Sequence, residues 1–396
     1  MRFRSWSGLS VKNLERRRIL FAVTMDYSIN LLGGIPSALV EDGWEVHLVS
    51  SPGLELEEAT KQGHLVCHPI PMTRGPSAAK DFVSFFRWLY LLISVRPEVI
   101  SVGTPKASLL GLLAGWVLRV PHRVYLLRGL RLETTTGFQL KILSSLEKLT
   151  SACATHVVAV SPSLRRTYLE KKLTSPRKIM VLGYGSSKGV DADMFRPAEK
   201  EEKIGLQRLF QEIGLKSDTP VIGLIGRHGT DKGLEVLSEA LELLHQQGLS
   251  YQVLAIGDDE SRGGFARTLQ LAKCHVVSIP RVHNVERYLR LIDVLCLPTL
   301  REGLPNVALE AQASGVPVVT TNATGAVDSV ENGFTGIVVR KGHARDLAEA
   351  LTRVLSDPLY RARLGSDARP WVMDHFLSST VISNNVMFYQ NLPHQG

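Results

Sequence analysis

Two short segments hold the residues best suited to chemistry. Positions 302–310 read EGLPNVALE: Glu302, a loop shaped by Gly303 and Pro305, and Glu310 inside the helix-forming run that follows. A helix starting here leaves its first N–H groups without backbone partners, and the positive end of its dipole adds to them. The loop–helix junction is therefore a seat for a phosphate. A carboxylate on either side can accept hydrogen bonds from sugar hydroxyls. Positions 226–233 read GRHGTDKG and set two cations, Arg227 and Lys232, five residues apart behind an apolar run. Arginine can grip a phosphate with two parallel donors, and lysine supplies a compact charge. With a helix N-terminus they would neutralise a diphosphate and stabilise the charge that grows as it leaves. The order is not the GxxxxGK[ST] of a P-loop.

Other patterns point away from alternative chemistries. Asp191 and Asp193 spell D-x-D, but in a turn-rich stretch with no adjacent buried strand, and Asp258–Asp259 reads as a solvated turn. The twelve histidines show no HExxH spacing and no GxSxG elbow is present. Neither a metal nor another cofactor is expected. Cys67, Cys153, Cys274 and Cys296 are scattered without a CxxC pair, which argues against a disulfide framework and for a reducing compartment.

These segments need a scaffold. A chain of 396 residues, 44% hydrophobic and 21% charged, is a natural size for two domains and too apolar for wholesale disorder. Short β-branched runs alternate with longer helical ones. Strands are expected at 19–24, 45–50, 99–104, 123–127, 156–160 and 178–182, then at 221–226, 252–257, 275–279, 294–298, 316–320 and 336–339. Most are apolar on successive residues, as strands of parallel sheets covered on both faces are. Helices are expected at 79–94, 106–118, 138–151 and 161–172 in the first half. The fold class is α/β, with two doubly wound domains facing a central cleft and a linker near 184–197. The division is a basic flexible tail over 1–18, an N-terminal domain over 19–189 and a second over 190–370. A C-terminal helix over 371–396 crosses back to the first domain. Ligands of such sheets collect at the carboxyl ends of the strands.

The two motif segments together resemble the donor-site signatures of the retaining GT-B glycosyltransferases of family four (glycosyl transferase group 1). These are bacterial enzymes that use sugar nucleotides. The strings TPKASLLG, RGLRLETTTG, AVSPSLR, VLGYGSSKGVD and TTNATGAVDSV extend the likeness over nearly the whole chain, toward enzymes that build capsule, exopolysaccharide and polyprenyl-diphosphate-linked glycans. The resemblance implies that Arg227 and Lys232 hold the donor diphosphate, Glu302 the transferred sugar and Glu310 the ribose. The backbone of Gly303, Leu304, Pro305, Asn306 and Val307 would face the distal phosphate and sugar, with Gly226 at the head of the cation loop. Gly33 and Gly34 would bring the first domain's backbone to the same phosphate, and Asp258 and Arg281 would meet the nucleoside. Where the family often has a histidine near the sugar, this chain has Arg128. It could bind a donor carboxylate or an acceptor phosphate, or pair with Glu133. Lys106 could contact acceptor phosphate or simply be solvated. The expected reaction moves a sugar from a nucleotide donor, UDP for preference, to a glycan hydroxyl with retention of configuration.

Charge is unevenly divided. Residues 1–189 carry 25 Lys/Arg against 13 Asp/Glu, a net +12, while residues 190–396 carry 21 against 25, a net −4. A basic half suggests an anionic partner. The run from Phe82 to Val95 is the longest apolar stretch and contains Arg87, too short and too charged to span a bilayer. Phe82, Phe86, Trp88, Leu92 and Ile93 recur at helical spacing. They form either a core face or an edge lying in an anionic membrane surface. The basic start followed by 19–25 imitates a secretion signal without its cleavage site. The expected location is cytoplasmic, peripheral on the inner face of the cell membrane. Two alternatives remain at this point: a nucleic-acid-binding module, for which no RNP, KH or zinc-finger pattern appears, and a nucleotide-sugar epimerase or phosphorylase of the same architecture.

Overall fold

A computed structural model describes residues 16–73, 75 and 77–394. The first sheet holds β1 (Arg18–Ala22), β2 (Glu45–Ser50), β3 (Val66–Pro69), β4 (Val99–Val102), β5 (His122–Leu127), β6 (His156–Ala159) and β7 (Ile179–Met180). The second holds β8 (Val221–Ile225), β9 (Gln252–Ile256), β10 (His275–Ile279), β11 (Val294–Leu297), β12 (Val318–Thr321) and β13 (Gly336–Val339). Every pairing between these strands is parallel, in the orders β3-β2-β1-β4-β5-β6-β7 and β10-β9-β8-β11-β12-β13. Strand order reverses beside β1 in one sheet and beside β8 in the other, and at such switch points the carboxyl ends open a crevice.

The apolar runs explain these elements. β4, β8, β9, β11 and β12 are buried at every position because helices cover both faces. The strand missed in the sequence is β3, VCHP, an edge strand that is half exposed and short of apolar residues. The expected strand at 178–182 shrinks to two residues at the opposite edge.

The helix Ala78–Val95 answers the question left open by its composition. Trp88, Leu92 and Val95 are buried against the sheet, while Phe82, Phe86, Tyr90 and Ile93 on the other side are all more than half exposed. It is both a core helix and an apolar outer edge. Among the described residues no helix is long and apolar enough to cross a membrane.

Both ends of the described chain are tied down. Residues 1–15 of the expected basic tail lie outside the described residues, but Arg17 and Arg18 do not behave as a tail. Arg17 pairs with Glu98 at 2.6 Å and donates to the carbonyl of Leu392, and Arg18 opens β1 and contacts Glu45. The helix Ser378–Gln390 packs on the first sheet's side, where the Tyr389 hydroxyl meets Ser101 Oγ at 2.7 Å and its ring stands edge-on to Phe21. Between the sheets the connecting segment is held to the long helix Pro358–Phe376. Arg369 donates to the carbonyls of Ala192 and Phe195, and Val190 N donates to Phe376 O. Asp191 Oδ1 accepts from the backbone N–H groups of Asp193 and Met194, so the first D-x-D carboxylate shapes this turn.

Candidate functional site

The cation loop and the acidic loop are stitched together at the carboxyl ends of β8 and β11. Gly233 adopts φ +73°, and a Cβ there would strike the Pro298 carbonyl, so only glycine lets the two loops touch. Leu300 N donates to Asp231 O at 2.9 Å and Arg301 Nη2 pairs with Asp231 Oδ2 at 2.6 Å. This seating brings Lys232 Nζ to 2.5 Å from Glu302 Oε1, with both side chains about four-fifths enclosed. The helix Asn306–Ala313 then follows Pro305 without a side-chain cap; Ala308 N turns back on Pro305 O at 3.1 Å, so the Asn306 and Val307 amides are the ones left for a ligand. The buried Asn306 Oδ1 has no hydrogen-bond partner. Glu310 lies one turn into this helix, which begins at Asn306.

Gly226, Arg227, Lys232, Glu302, Pro305 and Val307 line one cavity of about 160 Å³ with His228 and Phe265. Arg227 departs from expectation within it: its guanidinium is turned onto Glu260 at 2.5 Å and is nearly half exposed. His228, which the sequence reading passed over although it stands inside GRHGTDKG, stacks on Phe265 with ring centroids 3.6 Å apart. Burial pushes its pKa down to about 4, against the pull of Asp259 and Asp258, so the ring is neutral at pH 7.

The remaining expected residues fall into other settings. Glu310 is buried and pairs with Lys188 at 3.1 Å, a lysine for which the sequence suggested no role. Gly33 packs against the Lys188 stem and Gly34 against Ile382. Leu304 is buried in the core. Asp258 contributes its carbonyl to the His228 N–H, and the Arg281 guanidinium lies 6.0 Å from the Tyr27 ring of the first domain. Lys106 Nζ is occupied by Asp81, Thr73 and the Gly75 carbonyl, and contact with an acceptor phosphate requires that cluster to open.

Arg128 sits where the sheets meet. Its Nη2 donates to Leu31 O at 3.0 Å, while Nε and Nη1 are buried without partners. Burial lowers its pKa to about 10, which leaves it a cation. The expected alternative of a pair with Glu133 is not what forms: Glu133 Oε1 accepts from Thr324 Oγ1 at 2.6 Å across the cleft. The Arg128 carbonyl lies so close to Gly303 that a Cβ on Gly303 would strike it. Ser163 and Asp328 extend this seam, with Asp328 Oδ2 accepting from Ser163 N at 2.9 Å and from Ser163 Oγ at 2.5 Å.

Residues 207–371 match the family described as Glycosyl transferases group 1, and residues 33–185 match the Glycosyl transferase 4-like domain. The capsular polysaccharide biosynthesis glycosyltransferase CapM of Staphylococcus aureus is 34% identical over 371 residues, 93% of this chain and 95% of its own. The Escherichia coli UDP-Gal:alpha-D-GlcNAc-diphosphoundecaprenol alpha-1,3-galactosyltransferase is 26% identical over 72% of this chain and 73% of its own. The crystal structure of Anabaena Alr3699/HepE in complex with UDP and glucose, 18% identical, superposes with a TM-score of 0.76 over 95% of this chain and 100% of that one. Two parallel-sheet Rossmann-like domains and a match of this extent give one conclusion: the chain belongs to the group 1 glycosyl transferases, is a glycosyltransferase and has the GT-B fold.

Proposed function

We propose that the chain moves a sugar from a UDP-sugar to a hydroxyl of a polyprenyl-diphosphate-linked or other cell-surface glycan, with retention of anomeric configuration. The second domain binds the donor and the first the acceptor. One observation carries this reading: the Lys232–Glu302 pair stands beside the uncapped start of Asn306–Ala313 and lines a partly open cavity at the strand ends. An incoming diphosphate takes the ammonium and the open amides, and Glu302, released, accepts hydroxyls of the sugar. As the sugar–phosphate bond breaks, Lys232 and the helix dipole stabilise the charge on the leaving oxygen. Arg227 joins them once it leaves Glu260. The acceptor hydroxyl approaches on the face the diphosphate leaves, and its proton passes to a leaving phosphate oxygen. No side-chain nucleophile is invoked; the protein positions and stabilises.

The names of the S. aureus and E. coli relatives, for capsule synthesis and for a diphosphoundecaprenol acceptor, support the acceptor class. A lipid-linked acceptor suits an anionic membrane surface as partner. The exposed edge of Ala78–Val95, flanked by exposed Lys80, Arg87 and Arg96, has the composition of an interfacial helix, consistent with a place on the inner face of the cell membrane. The test is incubation with a panel of nucleotide sugars and polyprenyl-diphosphate saccharides, read by mass of the lipid product. One added hexose unit with release of UDP is expected. Turnover of the nucleotide sugar without any gain in acceptor mass would contradict the reading.

A further inference from the structure

Both acids of the 302–310 segment are paired with lysines, but the two lysines differ in origin. Lys232 belongs to the same domain as its acid. Lys188 lies in the segment leaving β7, and reaches 3.1 Å from Glu310 Oε1. Its platform is stiff. Gly185, Ser186 and Gly189 all have positive φ, Ser186 N donates to Val160 O at 2.7 Å, and Gly189 N donates to Ser186 Oγ at 3.0 Å. On the next residue, Val190 N is bonded to Phe376 O. The Lys188 stem also lies against the segment that follows β1: a Cβ on Gly33, whose φ is +54°, would come 2.7 Å from Lys188 Cβ. The Glu310 side chain is 9% exposed and that of Lys188 32% exposed, so the carboxylate is enclosed and the ammonium supplies its counter-charge.

We propose that Lys188 is a positioning residue of the donor site: it fixes the Glu310 carboxylate through Oε1 so that Oε2 is aimed to accept from the ribose diol. This rests on the donor-site reading above, in which Glu310 meets the ribose. A carboxylate held by an ammonium on a rigid turn keeps one rotamer, and the ribose meets a preorganised acceptor. The ion pair persists in the complex. Lys188 acts on nucleoside binding and not on departure of the diphosphate, which belongs to Lys232.

The experiment is calorimetric titration of the full-length protein with UDP and with 2′,3′-dideoxy-UDP, beside steady-state kinetics on the donor. Lys188→Ala is expected to weaken UDP about tenfold, to leave the dideoxy nucleotide unchanged, and to raise donor KM with kcat within about twofold. Lys188→Arg restores most of the loss, and Lys188→Ala adds nothing in a Glu310→Gln background. Equal loss for both nucleotides, or a kcat effect at saturating donor, overturns the proposal. So does tighter UDP binding by Lys188→Ala, which would mean that the ion pair competes with the ribose. A wild type that binds neither UDP, GDP nor ADP overturns instead the donor-site reading on which it rests.

Discussion

Replacing Lys232 by alanine removes a cation that lines the cavity with Pro305 and Val307 and leaves Glu302 there without its ion-pair partner. A unit charge about 4 Å from a phosphate oxygen is worth about 4 kcal/mol at an effective dielectric near 20. The Lys232 side chain is 22% exposed, and water reaching it trims this to about 2–3 kcal/mol, or about 10² in kcat/KM. The unpaired Glu302 repels the diphosphate as well, so UDP affinity falls with turnover. Removing the acid too, in Lys232→Ala/Glu302→Ala, is expected to recover about tenfold in UDP affinity over the single variant. The double variant still lacks kcat, because nothing replaces the lost cation in the transition state. Stability changes little, since the pair sits at a solvated cavity edge. UDP calorimetry, donor kinetics and a melting curve on the three proteins form the assay. A Lys232→Ala enzyme within threefold of wild type, or a double variant that binds UDP no better than the single, refutes the electrostatic reasoning.

Other perturbations follow from the same geometry. Gly303→Ala drives a methyl into the Arg128 carbonyl; activity is expected to fall at least tenfold with a scattering profile more open than wild type, and an unchanged profile with full activity would contradict the close approach. Asp328→Ala removes the carboxylate oxygen that accepts from both Ser163 N and Ser163 Oγ and is expected to cost about 2 kcal/mol, read as a melting point lower by about 5 °C; no shift would show that the seam is not holding the domains. Because His228 is neutral in the fold down to about pH 4 while the unfolded chain takes up a proton below about pH 6.5, the unfolded state binds more protons between these values. Stability therefore falls as pH drops through that window, by about 2 kcal/mol, and His228→Gln should flatten the profile in urea titrations at pH 7 and pH 5. Phe86→Glu/Tyr90→Glu is expected to reduce sedimentation with anionic-lipid vesicles at least tenfold, with activity on a water-soluble acceptor retained; unaltered sedimentation would place the membrane face elsewhere.

Much of this was legible in the residues. Parallel strands buried on both faces announce themselves as apolar runs, and β8, β9, β11 and β12 lie within a residue or two of where those runs fall. That Lys232 and Glu302 serve one seat could be anticipated from their places in the two motif loops, and Gly233 is the residue that lets those loops touch. What escaped notice depends on tertiary contacts that local pattern cannot carry. β3 has almost no apolar signal, and its position at the sheet edge does not require one. Lys188 looks like any solvated linker lysine until the fold brings it to Glu310, 122 residues away in sequence. His228 acquires its low pKa from burial, beneath a ring stack with Phe265 that no spacing within GRHGTDKG reveals. The pairing of Arg128 with Glu133, plausible from five residues' separation, gives way because Thr324 arrives from the other domain.

The most direct observation is a crystal structure with UDP bound. It is expected to show the β-phosphate within hydrogen-bonding reach of Lys232 Nζ and of the first amides of Asn306–Ala313, with the Lys232–Glu302 contact opened to admit it. A pyrophosphate lodged in the first domain, with that contact still closed, would contradict the assignment of the catalytic cleft.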